Sequence, residues 1–249
     1  MNGKTNTEES ALLALQRIHQ RIDAAIKSAS RPAGSVHLLA VSKTFAAPNI
    51  VAMADAGQQS FGENYLQEAL DKQAAIHNER PDLKLEWHFI GPVQSNKTRP
   101  IAENFDWVHT VEREKVATRL NDQRPDNAAP LNVCIQINID GAPSKSGCLP
   151  DQVQTLAIAI CALPRLRLRG LMAIPDPSDN PDQQHQAFAA VREQLNQLRN
   201  SLATQGINSG AVDTLSMGMT ADLEAAIAEG ATIVRIGTAL FGQRKKPAP

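Results

Sequence analysis

Short apolar segments alternate with helix-like segments along almost the whole chain, and this alternation constrains the fold more than any other feature. Each apolar segment is bounded by glycine, proline or polar residues, as is typical of short buried strands. The alternation predicts a parallel sheet, and eight such units in 249 residues predict a closed α/β barrel of the (β/α)₈ or TIM type. A doubly wound open sheet is the alternative. The predicted strands cover residues 36–43, 59–61, 83–90, 107–109, 131–139, 166–172, 212–215 and 232–236.

The predicted elements form one continuous unit. A helix over about residues 8–29 precedes the first strand, the barrel spans about residues 36–242, and a short basic tail follows. Because no long linker or fixed-period repeat interrupts this order, we expect a single domain over residues 1–249. The first helix is indicated by apolar residues spaced three and four apart: Leu12, Leu15, Ile18, Ile22 and Ile26.

Composition and charge argue against several kinds of partner. With 25 basic and 26 acidic residues, the formal net charge of −1 gives no electrostatic reason to expect a nucleic acid or an anionic membrane. The start of the chain lacks an apolar signal core, and no apolar run reaches membrane-spanning length. The cysteines, Cys134, Cys148 and Cys161, form no CxxC pair, which argues for a reducing compartment. We therefore expect a cytoplasmic protein.

The first predicted strand ends in a lysine. The apolar run from Val36 to Val41 leads directly into Ser42, Lys43 and Thr44. Burial beside a strand lowers a lysine pKa and supplies the free amine that a Schiff-base nucleophile needs. The alternative is a lysine that extends from the strand end into water. Taken alone, this segment favours the solvent-exposed lysine.

Two further segments follow the seventh and eighth strands, where barrels of this type often bind phosphate. The segment Ser216–Thr220 offers hydroxyl groups, a glycine that lets a ligand approach the backbone, and a helix predicted to begin at Thr220. The segment Arg235–Thr238 repeats the small and hydroxyl-bearing residues and adds a fixed positive charge. Each segment alone also fits helix capping or a structural ion pair. Together with Lys43 they indicate a ligand with a phosphate, an aldehyde and a group that contacts Arg235; pyridoxal 5′-phosphate (PLP) has all three.

Other strand ends offer more ambiguous residues. Asn64 follows the second strand and Met172 closes the sixth, so both could reach the barrel mouth. Alternatively, Asn64 only caps a helix and Met172 only fills the core. His88 is interpreted as a hydrogen-bonded core histidine. No phosphate-loop, GxGxxG or GxSxG spacing is present, and the six histidines form no ligand cluster, so we expect no metal.

Six motifs, in order, closely resemble those of the pyridoxal phosphate homeostasis protein family. The resemblance runs from about Val36 to Gly242 and so covers nearly the whole chain. One departure lies in the loop from Asp140 to Gly147, where Asp140 and Pro143 stand in place of the family's usual Ser and Glu. The motifs are Ala40–Thr44, Phe61–Tyr65, His88–Gly91 with Gln94, Asn96 and Lys97, Gly170–Pro175, Ser216–Met219, and Arg235–Thr238 with Phe241 and Gly242.

The resemblance implies a TIM barrel of the alanine racemase N-terminal-domain type with PLP held as a Schiff base on Lys43. It implies that Arg235 faces the pyridine nitrogen and that Asn64 and Met172 line the ring. We also expect PLP-dependent apoenzymes to be recipients of the cofactor and the protein to be a monomer. The resemblance implies phosphate contacts from Ser216, Gly218, Gly237 and Thr238, and Met217, which lies between two of them, is also predicted to bind the cofactor.

The residues favour a PLP carrier over a catalyst. An arginine beside the pyridine nitrogen disfavours its protonation and makes the ring a poor electron sink. Racemases of this barrel type take a catalytic tyrosine from a second domain, whereas this chain ends seven residues after Gly242 and has one tyrosine, Tyr65. We expect no catalytic residues. The alternatives are a single-domain PLP-dependent amino-acid racemase and a cofactor-free Schiff-base aldolase that uses Lys43.

Overall fold

Eight parallel strands close into a barrel in sequence order, with the first strand paired to the last. The protein was analysed as a computed structural model that describes residues 2–242, so the predicted basic tail from Arg244 lies outside the described residues. The closed barrel confirms the predicted (β/α)₈ fold and excludes the open sheet. The strands are β1 His37–Val41, β2 Ser60–Glu63, β3 Glu86–Phe89, β4 Trp107–Val111, β5 Leu131–Ile137, β6 Leu166–Ala173, β7 Thr214–Ser216 and β8 Ile233–Ile236.

Helices follow the strands and surround the barrel. Short 3₁₀ turns, Ser95–Lys97 and Pro150–Gln152, precede two of them. In residues 2–242 we find no helix with both the length and the apolar character needed to cross a bilayer. The helices are α1 Asn2–Ser28, α2 Ala47–Asp55, α3 Leu66–Glu79, α4 Thr98–Asn104, α5 Glu114–Gln123, α6 Val153–Cys161, α7 Pro181–Thr204, α8 Leu223–Ala228 and α9 Thr238–Phe241.

The type and order of the strands were predicted correctly, but several boundaries were wrong. The third strand begins at Glu86 rather than Leu83, because the Leu83 N–H donates to Arg80 in a turn. The helix predicted to begin at Thr220 begins at Leu223, because the Met219 N–H donates to the Asp222 carboxylate and closes a turn first. Hydrophobic pattern locates such elements well, whereas local side-chain bonds set where they begin.

The first helix packs on the outside of the barrel against α2, α8 and α9. Four residues of its predicted apolar stripe, Leu15, Ile18, Ile22 and Ile26, are buried, whereas Leu12 is 43% exposed. Arg21 donates to the carboxylate of Glu224 on α8. Arg31, just after the helix, donates to the carbonyls of Ile227 and Ala231. The first helix and Arg31 therefore hold α8, which connects the seventh and eighth strands, against the barrel.

The barrel interior contains both apolar and polar side chains. Because side chains alternate along a strand, every second residue of each strand faces inward. Most of the hydrophobic core lies between the strands and the helices, and a smaller inner cluster comprises Leu39, Trp107, Cys134, Met172 and Ile233. The inner space also holds buried polar residues, among them His88, His109, Ser216 and Arg235.

Candidate functional site

A cavity of about 340 Å³ opens among the residues at and beyond the C-terminal ends of the strands. Barrels of this type carry their functional sites at this end. Five of the nine predicted cofactor-binding residues line the cavity: Lys43, Asn64, Arg235, Gly237 and Thr238. Met219 and Thr220, from the predicted segment after the seventh strand, also line it. The other lining residues were not predicted as site residues, and they are Val41, Phe45, Ile90, Ile174 and Ala221.

The remaining four predicted residues do not line this cavity. Met172 is fully buried in the inner apolar cluster, as the core-filling alternative anticipated. Met217 is also fully buried, but it packs in the layer between the strands and the helices. Gly218 has a φ of +94°, and a Cβ there would lie 2.5 Å from the Cβ of Ala226, so only glycine fits. The hydroxyl of Ser216 is buried beneath the cavity and bonded to Arg235.

Lys43 lies two residues beyond the end of β1 and is half-buried. Thr44, the next residue, has a φ of +69°, which is uncommon for a residue other than glycine. Its backbone N–H donates to the Glu68 carboxylate on α3. A backbone held in a sparsely populated conformation by a specific contact is typical of functional sites.

A buried ion pair lies behind the backbone that carries Lys43. The Lys72 ammonium donates to the carbonyl of Ser42 and to Oε1 of Glu63, both at 2.8 Å. The Ser42 hydroxyl donates to the same Glu63 oxygen at 2.6 Å. Burial raises the pKa of Glu63, while the hydrogen bonds from Lys72 and Ser42 oppose that rise. This cluster fixes the position of Ser42 and therefore of the residue after it.

Asn64 contributes a polar atom that fits a ligand. Its side-chain oxygen is buried without a hydrogen-bond partner, and the residue lines the cavity. Its backbone packs against Gly91, where an added Cβ would lie 2.1 Å from the Asn64 carbonyl oxygen. A buried polar atom without a partner costs about 1–3 kcal/mol, which a polar ligand in the cavity would recover.

Arg235 forms part of the base of the cavity. One of its terminal nitrogens donates to the carbonyl and hydroxyl of Ser216 at 2.6 and 2.9 Å, and the other donates to the Ala173 carbonyl at 3.0 Å. These hydrogen-bond partners are all uncharged. Among the described residues we therefore do not find the ion pair that was the alternative role for Arg235. Burial lowers the pKa of Arg235 to about 10, so the guanidinium stays cationic at neutral pH.

The described lining of the cavity holds two titratable side chains, Lys43 and Arg235, and neither a carboxylate nor a histidine. Tyr65 is 54% exposed and is not part of the lining. We find no group of three or more metal-ligating side chains in residues 2–242. An anionic ligand with an aldehyde fits this set of donors, because both titratable groups can be cationic and one is an amine.

His88 is a hydrogen-bonded core histidine, as predicted. Its ring contacts His109 at 2.9 Å and the Glu86 carboxylate at 3.0 Å, and it is buried below the cavity. His109 was not predicted as a site residue. The available signal was alternation along the strand, because His109 follows Trp107 by two residues and therefore faces the barrel interior as Trp107 does.

Comparison with known proteins places this fold and site in a class. The family model of the alanine racemase N-terminal domain matches residues 13–245, so the barrel is of that type. The chain is 56% identical to the pyridoxal phosphate homeostasis protein of Pseudomonas aeruginosa, over 94% of this chain and 96% of the relative. It is 50% identical to the protein of that name in Escherichia coli K12, over 92% and 95%. This chain belongs to the pyridoxal phosphate homeostasis protein family.

Solved structures agree with this assignment. PipY of Synechococcus elongatus, determined with PLP bound, is 34% identical and superposes with a TM-score of 0.75 over 89% of this chain and all of PipY. Alanine racemase from Corynebacterium glutamicum superposes with a TM-score of 0.68 at 16% identity, over 97% of this chain and 64% of the racemase. At that identity the second likeness shows the shared barrel alone.

Proposed function

We propose that this chain binds PLP in the cavity at the C-terminal end of the barrel and serves in PLP homeostasis, with the cofactor held as a Schiff base on Lys43. The observation that carries the proposal is the convergence of Lys43, Arg235 and Asn64 on one cavity. The relatives named for PLP homeostasis and the PLP-bound PipY structure support the same ligand.

The proposed roles follow from position. Gly237 and Thr238, together with the backbone around Gly218, lie where the seventh and eighth strand loops meet and are assigned to the phosphate. Arg235 faces the pyridine nitrogen and Asn64 contacts the ring. Ser216 and Met172 support the cavity from below, and Met217 can take part through its backbone alone because its side chain packs away from the cavity.

Holding the cofactor is favoured over catalysis with it. Bound PLP supplies an electron sink for carbanions when its ring nitrogen is protonated. A cationic Arg235 disfavours that proton, and the described cavity lining offers no carboxylate, histidine or tyrosine to move a proton at a substrate. The racemase alternative rests on the shared barrel, and the aldolase alternative rests on Lys43.

The decisive experiment combines absorbance with mass spectrometry. We expect wild-type protein incubated with PLP to gain a visible absorbance band, and borohydride reduction to fix one PLP group on the peptide that contains Lys43. Lys43→Ala should lose both signals, whereas Lys84→Ala, which alters an exposed lysine, should keep them. A wild-type protein that stays colourless with added PLP refutes the proposal. Rapid exchange of the Cα proton of amino acids for solvent deuterium would favour the racemase.

The wider role is also part of the proposal. We infer a single-domain monomer over residues 1–249 that acts in the cytoplasm and delivers PLP to PLP-dependent apoenzymes. Support comes from the closed barrel and the absence of paired cysteines among the described residues. Loaded protein should reactivate a PLP-dependent apoenzyme faster than Lys43→Ala incubated with the same total PLP. Equal rates would show that free PLP alone supplies the apoenzyme.

A further inference from the structure

A chain of hydrogen bonds crosses the barrel interior from the cofactor cavity to the opposite end of the strands. Arg235 donates to Oγ of Ser216 at 2.9 Å, and that oxygen lies 2.8 Å from Nδ1 of His109. Nε2 of His109 lies 2.9 Å from Nδ1 of His88, whose Nε2 lies 3.0 Å from Oε2 of Glu86. Four strands, β3, β4, β7 and β8, therefore contribute to one continuous chain.

The far end of this chain is open to solvent. A second cavity of about 360 Å³ is lined by residues at the N-terminal ends of the strands and includes Glu86 and His88. Glu86 also accepts hydrogen bonds from Ser60 and from the Trp107 indole, and its hydrogen bond with His88 leads the causes that lower the pKa of Glu86 to about 2. The carboxylate is therefore ionised at neutral pH.

The two ends of the chain fix its direction. A guanidinium can only donate and a carboxylate can only accept. His88 therefore donates from Nε2 to Glu86. At the other end, the Ser216 oxygen accepts from Arg235, so the Ser216 hydroxyl donates its own hydrogen to Nδ1 of His109. His109 then carries its proton on Nε2 and donates it to Nδ1 of His88. Every hydrogen bond points from Arg235 toward Glu86, and both imidazoles are neutral with the proton on Nε2.

Reversal of the chain would be costly. A second proton on His88 would turn the His109 proton toward Ser216, and the serine hydrogen would then lose its acceptor in a buried site. Burial in the barrel interior is the largest cause that lowers the pKa of His109 well below its ordinary value, which keeps the His109 imidazole neutral. The arrangement keeps Ser216 Oγ presented to Arg235 as an acceptor.

We propose that His109 and His88, anchored by Glu86, are positioning residues of the cofactor site that hold Ser216 and, through it, the Arg235 guanidinium at the base of the cavity. The inference rests on the proposed PLP binding. The proposal gives a function to buried polar side chains that do not line the cofactor cavity. It also accounts for the contact between Ser216 and a histidine from β4.

The first test measures PLP affinity and the absorbance band of the bound cofactor. His109→Leu should raise the PLP dissociation constant roughly tenfold, which is the upper end of the effect of one lost hydrogen bond between neutral groups, and it should shift the band. His109→Asn retains an amide oxygen near the Nδ1 position and should recover most of the affinity. His185→Leu, which removes a histidine paired with Glu229 outside the barrel, should match wild type. Wild-type affinity and an unshifted band in folded His109→Leu would overturn the proposal.

A double-variant cycle separates positioning from direct contact. If Ser216 acts through the chain, Ser216→Ala combined with His109→Leu should weaken binding no more than the stronger single change. Strictly additive losses would show that Ser216 and His109 act independently, and the proposal would fail.

A final test needs no cofactor. In protein labelled with ¹⁵N-histidine, the nitrogen spectrum should show His88 and His109 neutral and protonated on Nε2 at neutral pH. A proton on Nδ1 of His109 would overturn the chain even if every variant unfolded. If wild-type protein does not bind PLP, the proposed function fails. The nitrogen spectrum still shows whether the hydrogen bonds from Arg235 to Glu86 have the direction given above.

Discussion

Replacement of Lys72 by methionine tests the buried ion pair behind Lys43. The Lys72 and Glu63 side chains are 6% and 0% exposed, and Lys72 also pairs with Glu68. Lys72→Met keeps most of the volume but leaves Glu63 with the Ser42 hydroxyl as its hydrogen-bond partner in the described structure. Removing one partner of a buried pair costs about 3–5 kcal/mol. For a chain of this size we expect the melting temperature to fall by roughly 6–20 °C.

The loss should depend on pH because Glu63 can take up a proton. Its pKa in the folded protein is raised above the ordinary value, so the folded state binds more protons than the unfolded state between those two values. The free energy of unfolding therefore falls as pH rises through that window. Lys72 opposes the rise, so Lys72→Met moves the folded pKa higher still and widens the window. The destabilisation relative to wild type should be small near pH 5 and larger near pH 8.

Thermal unfolding at several pH values measures both effects. The matched control is the double variant Lys72→Met with Glu63→Gln, which removes the charge as well as its partner and should recover most of the lost stability. Glu63→Gln alone should show little of the pH dependence. A Lys72→Met protein with the same loss at every pH, or with no loss, would mean that Glu63 is not a buried carboxylate held by Lys72.

Three further predictions concern backbone contacts and thiols. Gly91→Ala should weaken PLP binding, because a Cβ 2.1 Å from the Asn64 carbonyl oxygen must displace Asn64. The control is Gly210→Ala, where the nearest atom is 3.1 Å from the added Cβ, and equal PLP affinities of the two variants would contradict the reasoning. Gly170→Ala should destabilise by about 3 kcal/mol or more in denaturant unfolding, because φ is +149° and the Cβ would lie 1.9 Å from the Thr214 carbonyl oxygen. A thiol reagent should modify exposed Cys161 in the folded protein and spare Cys134 and Cys148. Burial raises the pKa of Cys134 to about 12 and that of Cys148 to about 11. Rapid modification of all three thiols would contradict the buried positions.

The barrel could be predicted because its signal is repeated. Each strand carries a short apolar run, and eight runs in alternation with helices leave few topologies. Lys43, Arg235, Gly237 and Thr238 could also be placed in one cavity, because strand ends in a closed parallel barrel meet at the same rim. The walls formed by Ile90 and Ile174 were missed, since apolar residues at a strand end look the same whether they face a ligand or the core.

The side chains of β7 could not be placed from sequence because a three-residue strand carries too little periodicity to show which face is inward. Ser216 and Met217 were both predicted to bind the cofactor, yet neighbouring residues on a strand point to opposite faces. In the structure Ser216 faces the barrel interior and Met217 the surrounding helices. The inner chain from Arg235 to Glu86 was hidden for a related reason, since its members lie on four strands that are distant in sequence.

These inner contacts bear directly on the proposal that this racemase-type barrel holds PLP without catalysing a reaction on it. The protonation state of the ring nitrogen decides how well PLP stabilises a carbanion, and Arg235 is the group proposed to face that nitrogen. Its described hydrogen-bond partners are uncharged oxygens, one of which is the Ser216 hydroxyl that also contacts His109, so no hydrogen-bonded carboxylate among the described residues neutralises the guanidinium. The positive charge is therefore kept at the base of the cavity by the barrel interior itself. On this argument, the polar residues in the middle of the barrel favour a carrier by the same contacts that position Arg235.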